Sequence, residues 1–155
     1  MKNKWIWLLI ATIVGITIFI LANSLLGFQA SHIFSRWVAG LFGNPSADIE
    51  KTDMLVRKIA HVGEYALLGA VAMVLFRWAK KNKKRCSIWC VLFSLLAMGV
   101  LDEFFQSFSS RTSAVSDILL DFSGGLLGIL LTTAFIKVIN FVKRKGLCKG
   151  GSHSE

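Results

Sequence analysis

The chain has 155 residues, 54% of them hydrophobic, with a mean hydropathy of +0.60 and a formal net charge of +9. That is far more apolar than a soluble domain of this size needs, so the chain reads as an integral membrane protein. Its excess of cations is gathered at helix ends, which sets aside nucleic-acid binding in favour of topology signals and contacts with anionic lipid.

The first apolar stretch, 5–22, holds 18 uncharged residues. It exceeds the usual 7–15 residues of a signal-peptide core and no clean A-x-A site follows, so it is expected to be a retained transmembrane helix. Trp5 and Trp7 at its start suit an interfacial aromatic belt.

Next comes a long segment, 23–58, that is too polar to span. Within it Ile33, Phe34, Trp37, Val38, Leu41 and Phe42 recur at helical spacing while His32, Ser35 and Arg36 fall opposite. This predicts an amphipathic helix over 31–42 lying in the membrane interface and ending before Asn44 and Pro45. Ser46 or Thr52 then serves to cap the start of the second membrane helix.

That helix is expected over 59–78, since about 20 residues cross a hydrocarbon core of about 30 Å. On it Arg57, Lys58, His61, Glu64 and Tyr65 share one polar face at 100° per residue. The third apolar stretch, 86–105, carries Asp102 and Glu103 near its end, with Gln106 one turn beyond Asp102. Cys86, Cys90 and Cys148 show neither C-x-x-C nor zinc-ligand spacing and read as apolar filler. The fourth stretch, 118–142, starts beside Asp117 and places Asp117, Asp121, Gly124 and Gly128 at i, i+4, i+7, i+11. A Gly-x-x-x-Gly pair marks close helix contact in membranes, so these acids share the face that packs on protein. The expected fold is thus all-α: one membrane domain over 1–155 with four transmembrane helices plus the interfacial helix.

Lys and Arg near helix ends favour the cytoplasmic side. Thirteen of the 18 basic residues lie before helix 1, between helices 2 and 3, or at and after the end of helix 4, whereas eight of the nine acids lie at the opposite ends. This predicts an N-in, C-in protein of the bacterial cytoplasmic membrane with its acids outward. Counting 1.5 Å per residue from the cytoplasmic anchors puts Glu64 at roughly 20 Å, Asp102 at roughly 26 Å and Asp121 at roughly 24 Å. Three helices therefore carry a carboxylate at one level. An ionised group costs about 2.5–3.5 kcal/mol at a membrane helix centre, so such residues are rare and usually functional. The alternative is an ion-pair network that only fixes helix register.

The residues that carry this pattern, "RKIAHVGEYALLG" at 57–69 and "DEFFQSFSSRTSAVSDILLDFSGGLLG" at 102–128, resemble the VanZ-like family of small bacterial membrane proteins. Lys58, His61, Tyr65, Leu68 and Gly69 match the family pattern K-x-x-H-x-x-x-Y-x-x-L-G. Asp102, Glu103, Gln106, Arg111, Asp117, Gly124 and Gly128 match its D-E-x-x-Q, Arg and D-x-x-x-[N/D]-x-x-G-x-x-x-G parts. Asp121 stands where many members have Asn. The resemblance implies a cell-envelope role at the outer membrane face, associated with teicoplanin resistance, and supplies no reaction.

The residues support two classes of function. In one, His61, Glu64, Asp102, Glu103, Asp117 and Asp121 supply acid, base or nucleophile toward an envelope-lipid headgroup, with Lys58, Tyr65, Gln106 and Arg111 binding it. One imidazole with several carboxylates also suits a divalent metal such as Mn or Zn, although the two-histidine zincin spacing is missing. In the other, the same groups bind a lipid headgroup or lipoglycopeptide without catalysis. Proton-coupled transport ranks third, because the polar groups occupy one side only.

Overall fold

The structure is a computed structural model and describes residues 4–25, 49–108 and 115–149. These form four helices: α1 (Lys4–Leu25), α2 (Ile49–Lys81), α3 (Ile88–Ser107) and α4 (Val115–Lys149). There is no strand among the described residues. All four helices contain stretches long and apolar enough to cross a membrane, at Lys4–Ser24, Lys58–Lys81, Ile88–Ser107 and Val115–Lys145. The chain is a multi-pass membrane protein. The expected interfacial helix over 31–42, Ser46 and Arg111 lie outside the described residues.

Helix boundaries depart from the apolar stretches in instructive ways. α2 begins ten residues before its apolar run, in the charged segment "IEKTDMLVRK", so Thr52 sits inside the helix and is not its cap. α3 begins at Ile88, not Cys86, because Ser87 takes an extended conformation and its hydroxyl accepts a hydrogen bond from the Trp89 amide at 3.4 Å. The other end of this connection is also capped. The Lys83 amide donates to Lys80 O at 3.1 Å and the Lys84 amide to Ala79 O at 3.0 Å, with Lys83 at φ 54°. That is the Schellman pattern, with lysine at the left-handed position where glycine is usual.

α2 and α4 make the closest pair. A Cβ on Gly124 would stand 2.7 Å from Val62 O; one on Gly69 or Gly128 would overlap the backbone of Gly125 or Ala66 respectively. Backbones can approach so closely only where side chains are absent, as small-residue membrane contacts require. Gly124 meets Val62 and Gly128 meets Ala66, one turn further along both helices, so α2 and α4 run parallel and the bundle is up-down-up-down.

The apolar core joins Ile20, Tyr65, Leu68, Met73, Val91, Leu95 and Ile129. Outward-facing side chains such as Trp5, Trp7, Phe93, Leu130 and Phe135 are exposed. Lipid tails solvate such surfaces, so the apolar exterior costs nothing in a bilayer.

Candidate functional site

The polar residues of the four helices meet near one end of the bundle. His61, on the polar face of α2, points Nδ1 between two carboxylates: Asp102 Oδ2 of α3 at 3.5 Å and Asp121 Oδ1 of α4 at 3.8 Å. Asp102 is 0% exposed and Asp121 2%. Gln106, one turn on from Asp102, donates Nε2–H to Asp102 Oδ2 at 2.9 Å. The common depth expected from counting along three separate helices therefore brings Asp102 and Asp121 into contact with one imidazole.

Glu64 lies one turn along α2 from His61 and accepts a hydrogen bond from Asn23 Nδ2 at 2.9 Å. Its second oxygen, Oε2, is buried and finds no hydrogen-bond partner among the described residues. Tyr65 is fully buried, and its hydroxyl likewise has no partner among the described residues. A Cβ added at Gly124 would stand 3.3 Å from the Tyr65 Cβ, so Tyr65 belongs to the α2–α4 interface. Glu103, next to Asp102 on α3, is likewise buried, at 6% exposed.

Lys58 and Asp117 stand apart from this centre. They pair with each other at 3.6 Å, with side chains 47% and 34% exposed, one turn beyond His61 and Asp121 toward the acidic end. Of the residues singled out in the sequence, the structure therefore gathers His61, Glu64, Tyr65, Asp102, Glu103, Gln106 and Asp121, and puts Lys58 with Asp117 at the rim.

Two contributors come from a helix whose sequence drew attention only for its hydrophobicity. Asn23 binds Glu64, and Ser24, itself fully buried, donates to Asp102 Oδ1. Both follow directly on the apolar run of α1, at the end that helix topology places beside the acids. The available signal was a pair of polar side chains at that level.

Chemically, the centre offers one imidazole and two buried carboxylates whose ligand atoms all lie within 4.8 Å of one another. Two ligands each about 2.1 Å from one ion stand about 3.5 Å apart in tetrahedral geometry, so this trio fits a divalent cation with mixed nitrogen and oxygen ligands. Without a cation it is an imidazole held between two potential proton acceptors, an arrangement suited to moving a proton.

Comparison with known proteins agrees with the motifs. A family model described as VanZ/LLP1 matches residues 6–137, a range that includes the whole cluster. No curated protein and no solved structure matches the chain.

Proposed function

Since this chain belongs to the VanZ/LLP1 family, we propose that it serves the bacterial cell envelope by binding the phosphate-bearing headgroup of an envelope lipid at the His61 cluster. The observation that carries this reading is the convergence of Asp102 and Asp121, from two different helices, on the imidazole of a third. Buried ion networks of this kind seldom repay their desolvation, and apolar side chains of similar volume would hold the helices equally well. Ionisable residues kept at membrane depth therefore point to a ligand.

The rim pair offers the way in. An exposed ion pair such as Lys58–Asp117 contributes about 0–1 kcal/mol, so a lipid phosphate can take Lys58 from Asp117 at little cost. In the orientation expected from the basic helix ends, the cluster faces outward, where envelope precursors and lipoglycopeptides are met. The family's association with teicoplanin resistance makes such a glycopeptide the second ligand to try.

A catalytic reading has its own support in the placement of His61 between two carboxylates. That environment can hold the imidazole as a general acid or base toward the headgroup.

Wild-type protein and Glu103→Gln, purified in mild detergent, would be incubated with envelope lipids of a Gram-positive host and the lipids followed by mass spectrometry. An unchanged phospholipid or lipid-linked precursor retained by the wild type and lost from Lys58→Gln supports binding. A defined mass change made by the wild type alone establishes an enzyme. Retention of no lipid, with no mass change, overturns both readings.

A further inference from the structure

At the end of the bundle where α2 turns into α3, α1, α2 and α3 do not close on one another, and the gap between them runs inward to Leu68 and Met98, one turn short of the acids. They leave an apolar groove of about 450 Å³. Its walls run from Ile6 to Thr17 on α1 and from Leu68 to Ala79 on α2, with Leu95 opposite on α3. Eleven residues of helix rise about 16 Å, half of a hydrocarbon core of about 30 Å, so the groove is one leaflet deep. That is the reach of a single lipid chain entering from the headgroup region.

The mouth of the groove carries the opposite chemistry. Trp78, Ala79 and Cys86 line it, and the connection they bracket contains Lys80, Lys81, Lys83, Lys84 and Arg85. Lys80 holds its Nζ 5.7 Å from the ring centre of Phe76, another lining residue, so one cation is already turned toward the groove. Lys83 adds an ammonium from a left-handed backbone conformation that glycine would occupy at lower cost. No acidic residue lies between Asn82 and Val100, so nothing in the connection neutralises these charges.

We infer that this groove is a binding site for an anionic phospholipid, one acyl chain lying along α1–α3 and the phosphate held by the basic α2–α3 connection. The site is separate from the His61 cluster and does not depend on the function proposed for it. Membrane lipids of either charge would wet an apolar surface. A one-leaflet slot ending under a run of five cations selects by charge, each cation near a membrane surface contributing about fivefold in affinity for anionic lipid.

The test uses delipidated full-length protein in mild detergent, mixed with equal amounts of dioleoyl phosphatidylglycerol and dioleoyl phosphatidylcholine and examined by native mass spectrometry. The expected result is at least about fivefold more phosphatidylglycerol retained, falling about fivefold in Lys80→Gln. Ala72→Phe, which fills the groove from α2, should abolish retention without lowering the unfolding temperature. If that variant does not fold, Ser94→Phe fills the groove from α3.

A second measurement places the lipid. In a Cys86→Ser, Cys148→Ser background, phosphatidylglycerol should slow maleimide labelling of Cys90, which lines the groove, and phosphatidylcholine should not. Equal retention of the two lipids overturns the proposal. So does undiminished retention by a folded groove-filling variant, or labelling of Cys90 that the anionic lipid leaves unchanged.

Discussion

Ser24 of α1 donates a hydrogen bond to Asp102 of α3, two fully buried residues 78 positions apart in sequence. The same hydroxyl lies 3.1 Å from Ile20 O, the i−4 carbonyl of its own helix. Through this contact and Asn23–Glu64, α1 is tied to the polar centre, although most of its surface faces lipid. Polar contacts between membrane helices average about 0.6 kcal/mol and reach about 1.7. Ser24→Ala should therefore lower stability in detergent by about 1 kcal/mol, measured by thermal or denaturant unfolding. Ser24→Asn, which keeps a donor, should restore much of it. An unchanged Ser24→Ala would show that the hydroxyl prefers its own helix.

This contact also shows what the sequence contains and what it conceals. The level of the acids was legible, because helix rise is constant and the basic anchors mark one end: Asp102 and Asp121 do meet at His61. That α4 packs closely on another helix was legible in the spacing of Gly124 and Gly128, but that α2 is this neighbour was not. The partner of each side chain was not, since periodicity assigns a residue to a face and depth but leaves the rotation of one helix against another to packing. That is why Lys58 is found on Asp117 at the rim. Helix ends escaped for another reason: apolar runs measure membrane thickness, whereas α2 extends ten residues further through a charged segment whose backbone bonds need no lipid.

The glycines give a sharp contrast. Gly128→Ala would drive a methyl group into Ala66 O, part of a backbone that cannot yield without shifting α2. Overpacking of this kind costs about 1–3 kcal/mol, and here it would separate the helices that bring Asp121 to His61. Gly63 lies on the same helix as Ala66, yet a Cβ there meets nothing within 4 Å. Gly63→Ala should stabilise α2 by up to about 1 kcal/mol through helix propensity alone. Unfolding temperatures of the two variants should thus move in opposite directions; a shared direction would contradict the α2–α4 packing.

The turn after α2 permits a separate test. Lys83 pays for its left-handed conformation with roughly 1 kcal/mol, which glycine does not. Lys83→Gly should raise stability by up to about that amount, provided the gain exceeds the backbone freedom it adds to the unfolded chain. Lys83→Val should lower it, because a β-branched side chain fits that conformation worst. Both changes lie far from the acids, so ligand binding at His61 should stay constant while the unfolding temperature moves.

The last prediction concerns the centre itself. If His61, Asp102 and Asp121 hold a divalent cation, Mn²⁺ or Zn²⁺ added to chelator-treated protein binds the folded state and raises its stability. The gain is about 2.7 kcal/mol at one hundred times the dissociation constant. Because the ion needs all three residues, His61→Ala should remove the response. Asp121→Asn should weaken it while leaving the fold intact, since among the described residues Asp121 makes no contact comparable to the Ser24 and Gln106 hydrogen bonds that anchor Asp102. Asp102→Asn should cost more stability than Asp121→Asn even without metal, for the same reason. A wild type indifferent to both ions, with Asp102→Asn still the more damaging change, would leave the imidazole held between its carboxylates by charge. The cluster would then meet a headgroup through His61 and Lys58 alone, and Lys58→Gln would become the variant that separates ligand binding from folding.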